Sequence, residues 1–242
     1  MNEVLFFIFA FLSEIIGTMA GFGSSTIFLP IALFFIDFKT ALVLVAFLHI
    51  FGNIGRITFF RQGLDKRLIL MFGIPSIILT ILGALLVNYT PQNTLKLVLG
   101  IFLLVFSIMS LVKPNLKFKP SKRNAVIGGG LSGFLAGLIG TGGALRGAFL
   151  TAFNLKKERY IATAAAIALA VDLTRIPIYF SGGFLTNQYY YFIPILLVVA
   201  FAGSFVGKKI VNKIPQNIFR KIVLILIALI SLKFIYDGLI SL

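Results

Sequence analysis

The chain has 242 residues, 59% of them hydrophobic and only 12% charged, with a mean hydropathy of +1.05. Soluble domains carry about 25% charged residues, so a soluble enzyme or nucleic-acid-binding module is excluded; the excess of 22 Lys and Arg over 7 Asp and Glu then belongs to the cytoplasmic loops of an integral membrane protein. The absence of cysteine excludes disulfides and thiolate metal sites, and the single histidine, His49, leaves little room for zinc chemistry.

The chain opens on Met1-Asn2-Glu3, without the basic start of a cleaved signal peptide. Apolar runs follow at about 4–36, 40–60, 68–88 and 95–112, and again at 125–154, 160–180, 189–207 and 218–236. About 19 apolar residues cross a hydrocarbon core of roughly 30 Å as a helix. Alternating barrel strands are absent, so the expected fold is an all-α, polytopic helical membrane protein.

The first run is too long for one ordinary crossing and is interrupted at Gly21-Phe22-Gly23, which Ser24, Ser25 and Thr26 follow. It also holds a lone acid, Glu14, readable either as half of a salt bridge or as a proton-coupling group. The second run carries His49, Asn53 and Arg56, the last two spaced i, i+3 on one helix face. After the fourth run comes the long polar linker, Lys113 to Arg123.

The fifth run repeats the peculiarity of the first, being overlong and broken at Gly140-Thr141-Gly142-Gly143, with Arg146 one turn further on. Its Gly129, Gly133 and Gly137 form a small-xxx-small row suited to close helix packing. The sixth run carries Asp172 and Arg175, again i, i+3. Gly182 and Gly183 read as a turn, and Tyr189-Tyr190-Tyr191-Phe192 as an interfacial anchor.

The two halves resemble each other. A shift of 119 residues places Gly21 on Gly140, Gly23 on Gly142, Asn53 on Asp172, Arg56 on Arg175 and Pro75 on Pro194. The expected organisation is a first repeat over 1–112, a basic cytoplasmic linker over 113–124 and a second repeat over 125–242. If each glycine-broken run returns to the side it entered, each repeat is a helical hairpin plus three full transmembrane helices. One membrane side then receives 16 of the 22 Lys and Arg, the other only Lys39, Lys96 and Lys233. The positive-inside rule selects this arrangement, with both termini outside. Three crossings per repeat make the second an inverted copy of the first, a design that in secondary transporters sets the substrate site at the midplane where broken helices meet.

A half-helix starting in mid-membrane presents unpaired N–H groups and the positive end of its dipole, which suits an anion. The substrate-binding candidates at the first tip are Gly21, Gly23, Ser24, Ser25 and Thr26. At the second they are Gly140, Thr141, Gly142, Gly143 and Arg146, whose planar fork fits an oxyanion. Asn53, Arg56, Asp172, Arg175, Glu14 and His49 are pathway or coupling candidates.

The chain resembles the TauE/SafE sulfite exporter family in its length, its two similar halves, its basic central linker and the glycine-rich motif early in each half. That motif, roughly Gly-x-Gly-Gly-Gly and then a proline, stands here as Gly21-Phe22-Gly23-Ser24-Ser25 with Pro30, serines replacing two glycines, and as Gly140-Thr141-Gly142-Gly143 without the proline. The resemblance implies transport of a sulfur oxyanion such as sulfite, or of an organosulfonate.

The expected activity is therefore secondary export or exchange of a small anion, with that anion and the lipid bilayer as partners, no nucleic acid and no cofactor. No Walker-type motif is present. Two other readings stand beside it: a proton- or cation-coupled carrier using Glu14 and Asp172, and a membrane subunit without a ligand of its own. One histidine, no cysteine and few intramembrane acids speak against an enzyme.

Overall fold

In the computed structural model the described residues are 2–20, 23–60, 63–113, 118–210 and 216–240. Gly21 and the basic residues Arg61, Lys117 and Lys213 lie outside them. The described residues form ten α-helices: α1 (Glu3–Ala20), α2 (Ser25–Ala32), α3 (Phe38–Phe59), α4 (Lys66–Leu86), α5 (Gln92–Val112), α6 (Lys122–Ile139), α7 (Gly143–Leu150), α8 (Lys157–Ser181), α9 (Phe192–Ile210) and α10 (Gln216–Ile240). Six spans, over α3, α4, α5, α8, α9 and α10, are long and apolar enough to cross a membrane. The chain is a multi-pass, all-helical membrane protein.

Local chemistry sets the helix starts. Asp37, Asp65 and Ser121 each accept a hydrogen bond from the backbone N–H three residues on, at 3.0–3.1 Å, satisfying one of the donors a helix start leaves over. Pro91 immediately precedes α5. At the other end of α6, Gly140 adopts φ +74°, the left-handed conformation that stops a helix and that a side chain resists. The pair Gly182-Gly183 forms the expected turn after α8, with Gly183 at φ +68°.

The two overlong runs are each broken at their glycines and fold back. Phe6, near the start of α1, meets the ring of Phe28 at 5.1 Å and that of Phe35, just beyond α2, at 6.0 Å. Phe118, just before α6, stacks on Phe149 near the end of α7 at 3.9 Å. The first hairpin closes against the beginning of α3 and the end of α8, in a cluster with Phe38, Phe184 and Phe192. The second closes against the beginnings of α4 and α8, around Phe72 and Ile167.

The buried share of each span sorts centre from rim. It is 67% for α3 and 50% for α8, which cross at the middle, against 28% for α5 and 33% for α9 and α10. The main packing pairs come in twos: α4 with α6 and α9 with α1, α3 with α9 and α8 with α4. Exchanging α1–α5 for α6–α10 leaves that set unchanged, as it does the pairs α3 with α8 and α5 with α10.

The row Gly129, Gly133, Gly137 lies against α4. A Cβ on these glycines would overlap the carbonyl oxygens of Phe72, Ser76 and Thr80, respectively. The closeness lets Ser76 Oγ and Thr80 Oγ1 donate to the carbonyls of Gly129 and Gly133, at 2.8 and 3.0 Å. Overpacking such a contact costs about 1–3 kcal/mol or more. The variant Gly133→Leu is therefore expected to melt several degrees lower in detergent; an unchanged melting temperature would remove this contact from the fold's main supports.

Candidate functional site

The site is built where the two broken runs meet. Between α1 and α2, Gly23 takes φ +84°, and between α6 and α7 the turn passes through Gly140, Thr141 and Gly142. Thr26 Oγ1 and Thr141 Oγ1 stand 2.8 Å apart, joining the two breaks inside the bundle. Gly140 and Gly142 spend their missing side chains on packing: a Cβ at Gly140 would press into Leu42 and Leu29, and one at Gly142 into the Ser132 carbonyl. Ser24, Ser25, Thr26, Thr141 and Gly143 are buried around these turns.

A small cleft, with a cavity volume of about 30 Å³, adjoins the first break. Gly17 and Thr18 of α1, Gly23, His49, Asn53 and Arg56 of α3, Arg146 of α7 and Tyr160 of α8 line it. The lining lies toward the C-terminal end of α3 and the N-terminal end of α8. The opposite ends of these helices are sealed by the aromatic cluster around Phe6, Phe28 and Phe192.

At Gly23 the absent side chain leaves usable space. The point its Cβ would occupy lies 3.1 Å from His49 Nε2 and 3.8 Å from Arg146 Nη2. Two polar groups from different helices thus converge on one position that only a glycine keeps open.

Behind the cleft runs a network that ties the halves together. Asp172 on α8 pairs with Arg175 Nη2 at 2.8 Å, lies 2.8 Å from His49 Nδ1 and, more loosely, accepts from Asn53 Nδ2 at 3.4 Å. Asn53 and Asp172 are the residues that the shift of 119 superimposes, so two positions matched by that shift face each other. Arg56 forms an ion pair with Glu14 and donates to Asn53 Oδ1 at 2.8 Å and Thr18 Oγ1 at 3.1 Å. Ser204 on α9 donates to Glu14 Oε1 at 3.0 Å.

The corresponding arginines, Arg56 and Arg175, have related tasks. Arg175 Nη1 donates to the Ala136 carbonyl at 2.7 Å, and Tyr179 Oη to that of Gly137 at 2.6 Å. These carbonyls belong to the last turn of α6, the negative end of its dipole. Arg56 reaches the equivalent last turns of α1, through Thr18 and Glu14.

The charges do not balance. Among the described residues the buried ionic side chains are Arg56, Arg146, Arg175, Glu14 and Asp172, three cations against two carboxylates. Both carboxylates already hold an arginine, Glu14 that of Arg56 and Asp172 that of Arg175. Arg146, only 5% exposed, has neither a hydrogen bond from its guanidinium nor an ion pair among the described residues. A buried charge left unpaired is costly, and this one faces an open cleft.

Of the residues singled out in the sequence, Gly23, His49, Asn53, Arg56 and Arg146 line the cleft, while Glu14, Asp172 and Arg175 stand behind them. Sequence reasoning missed Thr18, Tyr160 and Ser204. Gly52 and Gly203, where a Cβ would strike the Glu14 side chain, were also missed. The glycines carry the one signal available, small residues opposite a lone intramembrane acid.

The model of the family described as "Sulfite exporter TauE/SafE" matches residues 6–234. A protein of Escherichia coli strain K12 named "Probable membrane transporter protein YfcA" is 28% identical over 166 residues, 64% of this chain and 60% of the relative. Its counterparts in strains O6:H1 and O157:H7 match to the same extent. The chain thus spans less than two thirds of these relatives in the match.

Proposed function

The chain belongs to the sulfite exporter TauE/SafE family, a family of membrane transporters and not of enzymes, and from that premise we propose that it is a secondary transporter of a small anion, sulfite or a related sulfur oxyanion or organosulfonate. The observation that carries this reading is Arg146, a buried cation beside a cleft with no acid of its own. An anion in the cleft completes the charge balance of the bundle, and the guanidinium fork offers parallel donors to two oxygens of one oxyanion. Thr18, Asn53 and Tyr160 supply further polar surface around it.

The inverted-repeat reading, with repeats over 1–112 and 125–242, has its support in the packing. The hairpins close at different ends of α3, one at its beginning and one beyond its end near the start of α4, and the main helix pairs exchange as a two-fold axis requires. With the basic loops cytoplasmic and both termini outside, the cleft opens inward and the aromatic cluster seals the outer face. Transport then proceeds by rocking one repeat against the other, which opens the cluster and closes the mouth.

A carrier using Glu14 and Asp172 for a cation has less support, because both carboxylates are already occupied by arginines. A subunit without a ligand would leave the cleft and Arg146 unexplained. Thermal unfolding in detergent with sulfite, sulfoacetate or sulfate tests the proposal. A binding anion at 100 times its Kd is expected to add about 2.7 kcal/mol of stability, with flux of that anion in reconstituted vesicles. No shift and no flux with any of the three would overturn it.

A further inference from the structure

The imidazole of His49 is placed for a task that the anion site, as proposed above, leaves open. It is 3% exposed, on the most buried span of the bundle. Its Nδ1 lies 2.8 Å from Asp172 Oδ2. Arg175 holds the other oxygen, Oδ1, of the same carboxylate, which is therefore ionised and only accepts, so the nitrogen facing Oδ2 carries a hydrogen. Nε2 then faces outward as a lone pair in neutral imidazole, or as an N–H in imidazolium.

That second nitrogen has no hydrogen-bond partner among the described residues. It lines the cleft and points at the space left by Gly23, toward which Arg146 Nη2 also reaches. An oxyanion drawn to Arg146 brings an oxygen to Nε2. Two lone pairs meeting there would repel each other inside a buried site, whereas one hydrogen between them makes a charge-assisted bond.

We infer that the cleft takes up its oxyanion together with one proton, shared between an oxygen of the anion and His49 Nε2. This rests on the anion site proposed above and adds the coupling ion to it. The proton comes from the aqueous phase, either on the entering anion, whose O–H then donates to Nε2, or on the imidazole, whose N–H donates to the anion. Both routes reach the same complex, one proton richer than the separate anion and neutral histidine. The occupied carrier moves one negative charge fewer than the bare anion has.

The other charged and titratable groups around this space are already engaged. Asp172 and Arg175 from α8 hold each other, Arg56 from α3 holds Glu14 from α1, and Arg146 from α7 is the anion's own partner. Tyr160 from α8 lines the cleft beside Arg146. Of these residue types, histidine is the one whose ordinary pKa lies near neutrality.

The test uses the purified full chain in detergent and sulfate as the probe, because sulfate stays fully ionised throughout the neutral range and any pH dependence belongs to the protein. In the wild type the sulfate Kd is expected to weaken by up to about tenfold for each pH unit above neutrality. Binding in weak buffer should take up close to one proton per site, read by an indicator dye. H49Q, whose side-chain amide donates without titrating, should bind with a flat pH profile and no proton uptake; H49N serves if that variant does not fold.

A wild-type Kd independent of pH, or a slope and uptake that survive in H49Q or H49N, would overturn the proton and leave the anion site standing. Absence of sulfate binding at every pH, repeated with sulfite, would overturn the anion site and this inference with it.

Discussion

Replacing Arg146 with methionine is expected to abolish the anion-dependent rise in melting temperature and to weaken anion binding by about ten- to 150-fold, while leaving the unliganded protein as stable as the wild type or more so. The first half follows from hydrogen bonds to a charged group, which contribute about 1.5–3 kcal/mol, or about one to two powers of ten in Kd. The second half follows from the charge balance. Arg146 has no acid among the described residues to leave stranded, and methionine keeps much of its stem while removing a buried, unpaired cation.

Arg146→Lys sharpens the result. It keeps the charge but loses the fork, so it should retain part of the affinity and lose discrimination among planar and tetrahedral oxyanions. Thermal unfolding with and without anion measures both halves in one experiment. A variant that melts well below the wild type in the absence of anion would make Arg146 a structural residue and remove the main support for the site.

The sequence carried the breaks in plain form, because thirty apolar residues around a glycine cluster fit neither one crossing nor two. It carried the three intramembrane arginines as well, and the shift of 119 that pairs Asn53 with Asp172. It could not say which arginine was left over. Arg175 stood among the pathway candidates, yet its guanidinium donates to the Ala136 carbonyl and holds Asp172; Arg146 is the one without an acid among the described residues. Such pairing is settled by which helices cross, and local pattern does not encode it.

His49 shows the same limit. In the sequence it is one more residue on an apolar helix, and only the crossing of α3 over α8 brings Asp172 to its Nδ1 and leaves its Nε2 facing the cleft. The glycines differ in what surrounds them. At Gly140 and Gly142 the place of a side chain is taken by Leu42 and the Ser132 carbonyl, whereas Gly23 lines the cleft, a distinction that three glycine letters do not carry.

Glu14→Ala is expected to have the opposite signature to Arg146→Met: a loss of about 3–5 kcal/mol in stability, with or without anion. The carboxylate is fully buried and the paired Arg56 side chain 5% exposed, so removing the acid leaves a cation inside the bundle that Thr18 and Asn53 can satisfy only as neutral acceptors. It also removes one of the acceptors of Ser204, leaving the Gly52 carbonyl, and opens a space beside Gly52 and Gly203, whose missing side chains make room for Glu14. The paired change Glu14→Leu with Arg56→Met removes both charges together and should recover much of the loss, because the stranded cation, more than the missing attraction, carries the penalty. Unfolding of the three proteins measures this. If Glu14→Ala instead keeps its stability and loses only proton-dependent flux, Glu14 belongs to the coupling machinery and the cation-coupled reading regains its ground.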